Sequence, residues 1–489
     1  MPDSASPDQI PQIGHPVHPS GPVLAGFYLA LCSVPLLLAL NQTASPADPW
    51  ERAGAALGMV ALVAMAIQFV TSGRFEAVSG QLGIDKIMAF HKIAAFWVLI
   101  ALILHPLAYV LPTWVDDPAL GIERLTAYLG LPQYRSGVVA LAALMVLVGS
   151  SILRDRLPWR YEFWRALHVV LGLLAVSGGL HHAVTTGRFG TMEPNHWFWW
   201  AVGLGVIAVM AVLYGLRWVA LHQHPWQLAS ITKLADRLWE LDIQPAKGSR
   251  AFRYSAGQFV WMTEGKRRFP LYDHPFSIAD SPARPGLSLI VKEVGDFTRG
   301  VGSLAPGTPI GIDGPYGEFT LDHAPGCAVV LVAGGVGIAP IMGLLRDLVA
   351  QHDPRPVRLA YAAGNPQNFA CLPEIEAAGK VLDLQTMLIS EDHADGWVGQ
   401  VGRLTQDRLC DLMQGLDAQR TVALICGPGP MVTAVSDALL DLGLPMDRVV
   451  YERFDYAGGA GRQDRKRALN FLAVGAGLVA VIGGFAVLS

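Results

Sequence analysis

Five histidines lie inside long apolar stretches, where an imidazole facing lipid would be costly and one facing a bundle interior needs a partner. His91 and His105 share one stretch; His168, His181 and His182 share another. His91 and His105 are 14 residues apart, nearly four turns, so they lie close to one helix face and roughly 21 Å apart along its axis. His168 stands a similar distance from His181 and from His182. Two imidazoles opposed across a bundle interior suit a metal macrocycle, with bis-histidine haem iron the usual occupant. Two such pairs, stacked along the membrane normal, would make an electron wire. His91 and His168 would ligate the inner metal, and His105 with His181 or His182 the outer one. On a straight helix His182 shares the face of His168 better.

A second set of residues suits phosphates and flat rings. His274-Pro275-Phe276-Ser277 combines a hydroxyl with backbone amides in a tight turn, able to hold a flavin ring edge or its phosphate. Lys292, with the amides from Gly295 to Thr298, would suit a pyrophosphate, as helix N-termini do. Asp313-Gly-Pro-Tyr-Gly-Glu-Phe319 adds a glycine-rich turn. Gly334-Gly335-Val-Gly337-Ile-Ala-Pro340 follows an apolar strand and opens a helix, so backbone can approach a pyrophosphate there. Its spacing is not the usual dinucleotide fingerprint. Cys426-Gly427-Pro428 also ends a strand and starts a helix. Two glycine turns at the same edge of one sheet place a dinucleotide across it.

The elements that must position these residues follow from composition. Hydrophobic residues make up 52% of the 489 and charged ones 16%, against roughly 25% charged in a soluble domain. The deficit sits in residues 20–220 and after 467. Stretches near Val23–Leu40, Gly54–Val70, Ile87–Leu111, Gly137–Leu153, Trp164–Val184, Trp197–Val219 and Ala468–Leu488 reach bilayer length. Arg74, Lys86, Arg154, Arg156, Arg160, Arg165 and Arg217 fall on one side of these spans, which makes that side cytoplasmic. Spans three and five then both run outward, and the C-terminus ends outside. Short alternating segments over 225–322 read as a small antiparallel barrel. Strands alternating with helices over 325–456 read as a parallel sheet covered on both faces. The expected fold is a multi-domain membrane protein: an all-α transmembrane helical bundle, an antiparallel β-barrel, an α/β nucleotide-binding domain and an extra C-terminal transmembrane helix. The expected boundaries are a disordered cytoplasmic tail over 1–22, the bundle over 23–222, the barrel over 223–323, the α/β domain over 324–457 and the last helix over 458–489. A net charge of −4 gives no footing for nucleic acid. Five cysteines without CxxC spacing, four of them in the soluble half, suit free thiols in a reducing compartment.

With the histidine pairs, Tyr161-Glu-Phe-Trp164-Arg-Ala-Leu-His168, HPFS, GDFT, DGPYGEF, AGGVGIAP and CGPGPM in this order, the sequence resembles the ferric reductase and NADPH oxidase family over roughly residues 50–456. The resemblance implies a six-helix bundle with two haem b groups, an FAD-binding barrel and an NAD(P)H-binding domain. It implies His91, His105, His168 and His181 as haem ligands, His274, Pro275, Phe276 and Ser277 at FAD, and Gly335, Gly337, Pro340, Cys426, Gly427 and Pro428 at the nicotinamide dinucleotide. Cys426 would lie near the nicotinamide and Phe454 against the flavin. It implies a plasma- or inner-membrane protein that passes electrons to an extracytoplasmic acceptor, oxygen or a ferric chelate. The alternative is a membrane cytochrome donating to a periplasmic partner protein. The sequence departs from the family in its seventh span. No basic residue follows Gly364-Asn365-Pro366 to meet a 2′-phosphate, although Arg403 could, so NADH versus NADPH stays open.

Overall fold

The computed structural model describes residues 20–40, 42, 48–72, 74–75, 83–247, 249, 252–265, 268–322, 326–393, 395–454 and 461–488. Most of the expected N-terminal tail lies outside them, and helix α1 (Gly21–Leu40) has already begun where the tail was expected to end. The bundle continues with α2 (Pro49–Ile67), α3 (Ile84–Asp116), a shorter helix α4 (Pro118–Gly130), α5 (Arg135–Ile152), α6 (Tyr161–Thr185) and α7 (Asn195–Gln223). Residues Ala211–Leu216 of α7 form a π-helical segment. Asp-Pro pairs start two of these helices. Asp48 accepts from the Trp50 amide and Asp117 from those of Ala119 and Leu120, while Pro at the first helical position loses no hydrogen bond.

Helix α2 is the buried centre of the bundle. Gly54, Ala55, Ala56 and Gly58 give it a small-residue face, which lets a neighbouring backbone approach closely. At Gly58 a methyl group would lie 2.7 Å from the His105 ring. The glycine therefore makes room for the imidazole on α3.

Strands β1 (Trp226–Ala235), β2 (Leu238–Pro245), β3 (Phe259–Glu264), β4 (His274–Ser277), β5 (Leu287–Lys292) and β6 (Pro309–Tyr316) form one antiparallel sheet in the order β4-β3-β6-β1-β2-β5. A bridge from Ile278 to Leu289 brings the two ends together. Two segments expected as turns are strands. HPFS is β4 itself, and Asp313 to Tyr316 ends β6. Pro275 is tolerated because β4 ends the order and hydrogen-bonds only to β3.

The second sheet is parallel, in the order β10-β9-β8-β7-β11-β12. It holds β7 (Ala328–Gly334), β8 (Val357–Ala363), β9 (Leu384–Ser390), β10 (Gln400–Val401), β11 (Thr421–Gly427) and β12 (Val449–Arg453). Alternation along β7 sorts its two faces. Val329 and Leu331 pack with α8 (Ile338–Gln351) and α9 (Leu372–Ala378). Val330 and Val332 pack with α10 (Gln406–Leu412) and α11 (Gly429–Asp441). After β12 the chain returns to the bundle as α12 (Arg462–Leu488). There Phe471 meets Phe90 at 5.5 Å and Phe485 meets Phe189 at 5.6 Å. Among the described residues seven helices, α1, α2, α3, α5, α6, α7 and α12, are long and apolar enough to cross a membrane.

Bundle and barrel are joined by buried ion pairs. Arg74, Arg165 and Arg217, on the α2–α3 connection, α6 and α7, converge on Asp273 and Asp313 of the barrel. Arg165 donates to Asp273 at 2.6 Å and Arg217 to Asp313 at 3.0 Å, and Arg74 donates to Asp273. Arg74 also stacks 3.7 Å from the centre of the Trp261 ring. The Asp273 side chain is 2% exposed, so its removal would take the carboxylate from buried Arg165 and leave Arg74 with only its longer contact to Asp313, at 3.7 Å. The expected cost of Asp273→Ala is about 3–5 kcal/mol, read as a lower melting temperature and faster tryptic release of the barrel. A variant as stable as the parent would show that these pairs do not hold the barrel to the bundle.

Candidate functional site

Helices α3 and α6 bring their histidines together at two levels. The ring centres of His91 and His168 are 6.3 Å apart, as are those of His105 and His182. Two imidazoles on opposite sides of one ion, with metal–nitrogen bonds of roughly 2 Å and about 1.1 Å from nitrogen to ring centre, would have centres about 6.2 Å apart. His105 Nδ1 lies 2.6 Å from the Gly54 carbonyl and His168 Nδ1 lies 3.2 Å from Ser151 Oγ. A second-shell bond of this kind fixes the ring and leaves Nε2 for a metal. Nδ1 of His91 and of His182 is buried without a hydrogen bond. Among the described residues no group of three or more His, Cys, Asp or Glu side chains is placed to hold a metal ion. Each pair would therefore supply two ligands, and a macrocycle's own nitrogens the rest. The residues present fit that group.

His181 was expected opposite His105, but the structure places His182 there. Helix α6 runs unbroken from Tyr161 to Thr185, so a 14-residue step from His168 stays on the inward face, and His181 is turned about 100° away. His181 is exposed, whereas His182 packs against Gly137, where a methyl group would lie 3.0 Å from the ring.

Beneath the lower pair the barrel presents its first motif. The His274 ring stacks on Phe297 at 4.2 Å and lies 5.7 Å from Tyr161. Burial pulls its pKa down, opposed by Glu162 and Asp273. Tyr161 is 6.0 Å from Trp164, and Trp164 is 5.2 Å from His168. Aromatic rings thus run from the barrel to the lower histidine pair. Pro275 is exposed, Phe276 half-buried and Ser277 buried. Thr298 Oγ1 accepts from the Val294 and Gly295 amides, at 2.8 and 2.9 Å, which fixes the GDFT turn and occupies the first of its amides. The Lys292 side chain is exposed at the end of β5.

The two glycine turns of the parallel sheet touch each other. A methyl group at Gly337 would lie 2.1 Å from the Cys426 carbonyl, and one at Gly334 would strike Met431 and Pro428. Gly335 has φ +55°, in the left-handed region that favours glycine. Pro340 is buried in the first turn of α8 and Gly427 ends β11. Cys426 is fully buried, and burial, then the nearby Glu452, pushes its thiol well above the usual range. Arg403 is 86% exposed and lies 3.4 Å from Glu391. Phe454 follows β12 and is 43% exposed.

Helices built to span a bilayer, with an antiparallel barrel and a parallel nucleotide-type sheet behind them, define an integral membrane protein carrying a flavin- and nicotinamide-binding oxidoreductase module. Comparison with known families agrees. Residues 57–179 match the ferric reductase like transmembrane component, 225–320 an FAD-binding domain and 331–437 an oxidoreductase NAD-binding domain. In this order along one chain, they match the architecture of the ferric reductase and NADPH oxidase family. Similar curated proteins include the flavohemoprotein of Bacillus subtilis (strain 168), 28% identical over 47% of this chain and 59% of that one. The propane 2-monooxygenase reductase component of Gordonia sp. (strain TY-5) is 33% identical over 40% and 56%, and NADH-cytochrome b5 reductase 1 of Laccaria bicolor 31% over 35% and 58%. The chain thus spans a little over half the length of these relatives. Among solved structures, the flavohem-like FAD/NAD binding domain of nitric oxide dioxygenase from Vibrio cholerae O1 biovar El Tor aligns with 47% of this chain and 98% of its own. The TM-score is 0.42 at 20% identity.

Sequence reasoning missed Glu452, which lies beside Cys426 at the end of β12. Burial and the neighbouring Asp85 raise its carboxyl to about 8, from 4.5. A raised acid contributes stability fully below its unfolded pKa and loses that contribution as pH rises through its folded pKa. The melting temperature should therefore fall between about pH 5 and about pH 8.5, and fall less in Glu452→Gln. Parallel curves for the two proteins would contradict the assignment.

Proposed function

We propose that the chain is a transmembrane NAD(P)H oxidoreductase with FAD and two bis-histidine haem b groups, delivering electrons to an acceptor on the far side of the membrane, either oxygen, giving superoxide, or ferric iron. The observation that carries this reading is the pair of 6.3 Å imidazole contacts at two levels of one helix pair, above a domain that binds FAD and another that binds NAD. When bound, FAD accepts a hydride from the nicotinamide and haem iron accepts and gives single electrons.

The chain's own part is to hold and to exclude. His91 and His168 hold the inner haem; His105 and His182 hold the outer one. Gly54 and Ser151 orient one imidazole of each pair. Gly334, Gly335, Gly337, Pro340, Gly427 and Pro428 shape the dinucleotide edge, with Cys426 at the nicotinamide end. His274 to Ser277, Lys292, Gly295 and Thr298 line the FAD side, and Phe454 covers the flavin. The arginines of the bundle's reductase-facing side, Arg74, Arg165 and Arg217, fix the barrel against it. They also make that side cytoplasmic by the charge rule. Arg403, 86% exposed, lies 3.4 Å from Glu391; the pair offers a cation for a 2′-phosphate and an acid for a 2′-hydroxyl, so the reading takes either NADH or NADPH.

The test is spectral. The purified protein should show a Soret band that shifts on addition of NADH or NADPH and a haem content of about two per chain. His182→Ala should lower that content to about one, while His181→Ala leaves it unchanged. Loss of haem from His181→Ala with retention in His182→Ala would reverse the outer assignment, and a colourless parent would end the proposal.

A further inference from the structure

Buried hydrogen-bond donors without acceptors gather near one end of the lower histidine pair. A buried polar group in a native structure is nearly always satisfied, so a local excess of one kind points to what it awaits. Trp164 Nε1, Arg154 Nε and Gln68 Nε2 are all buried with no hydrogen-bond partner. The Trp164 ring lies 5.2 Å from that of His168. The Arg154 guanidinium stacks 5.0 Å from the Trp164 ring and 4.8 Å from Tyr161. Gln68 stands just past the end of α2, and its backbone lies against His91. Its amide oxygen accepts from Thr71 Oγ1 at 3.2 Å, so the nitrogen is the unused end.

All three groups donate and none accepts. The matching ligand group is one that only accepts, and the positive charge of Arg154 selects an anion. Among the described residues Arg154, whose side chain is 37% exposed, has one ion-pair partner, Asp155, whose carboxylate is 3.2 Å from Nη1 and 95% exposed. That pair lies on the solvent side and leaves Nε turned inward. Arg154 opens the short Arg154–Arg156 turn between α5 and α6, on the side of the bundle that faces the barrel. A carboxylate held there would sit at the rim of the membrane domain and not in its apolar middle, where charge is costly.

Resting on the bis-histidine reading above, we propose that Arg154 and Trp164, with Gln68, form a carboxylate anchor for the tetrapyrrole between His91 and His168. The anchor receives its propionate side chains and sets the macrocycle's rotation about the His91–His168 axis. Trp164 then has two tasks, packing on the ligand His168 and donating to the group that His168 helps to hold.

The test uses full-length protein with His105→Ala and His182→Ala, made in haem-limited cells so that only the inner site can load. Apoprotein in detergent is titrated with haemin and with haemin dimethyl ester, in which the carboxylates are masked, and binding is read from the Soret band. Haemin should bind roughly ten- to hundredfold more tightly than the ester. Trp164→Phe, which keeps the ring and removes only the N–H, and Arg154→Met, which keeps the stem, should each weaken haemin binding about tenfold and leave the ester unchanged. Equal affinity for the two pigments, or variants that weaken both alike, would overturn the anchor while leaving the histidine pair standing. A Soret band that stays at the free pigment's position on mixing, with both pigments, would remove the pair, and the anchor with it.

Discussion

An imidazole at bilayer depth has few places to go. Facing lipid it strands two polar nitrogens, and inside the bundle it must find a partner within reach. Four histidines in this chain meet that constraint as two couples, and much of the bundle can be read as its consequence. Helices α3 and α6 must run the same way and present faces that repeat every 14 residues. Helix α2 must thin to Gly58 where His105 passes, and α5 must do the same at Gly137 for His182. Gly54, inside unbroken α2, offers its carbonyl to His105 as well.

The attachment of the barrel rests on different physics. Three arginines and two aspartates are withdrawn from water at the seam, where isolated charges would be strongly destabilising. Sharing Asp273 between Arg74 and Arg165, and Asp313 between Arg74 and Arg217, gives every guanidinium at least one carboxylate, with one positive charge in excess, and leaves little freedom of rotation. Asp273 immediately precedes β4, whose first residue is His274. The pairs that fasten the barrel therefore also set the height and tilt of the His274–Ser277 strand beneath the lower histidines.

Much of this was legible in the residue order, because it depends on short-range periodicity. The spans, the alternation of strand and helix after residue 325, and the His91–His168 couple follow from repeats of 3.6 and 2. The choice between His181 and His182 was legible too, since a straight helix favours the second; resemblance pointed to its neighbour, which the structure turns outward. Reading HPFS as a turn failed because proline is a turn residue in most settings, and only the edge position of β4 makes it tolerable in a strand. The pairing of Arg74 with Asp273, 199 residues away, could not be read at all. No local pattern marks which acid an arginine will meet, and the same holds for Glu452 and Asp85.

The return of the chain to the bilayer after β12 carries a topological consequence. Arg453 binds Asp464 through two contacts of 2.8 and 3.1 Å, and Arg467 reaches Tyr451 at 2.6 Å and Asp85 at 3.6 Å. The strand that ends the reductase is thus stitched to α12 and to the start of α3. Entering from α7 and leaving through α12, the soluble half is a closed hoop with both ends fixed in the same sheet of lipid. Such a hoop cannot swing from one pivot. Its donor and acceptor ends keep a permanently high effective concentration toward each other, and any opening that admits a nucleotide must be a parting of the two soluble lobes, not a departure of either from the membrane.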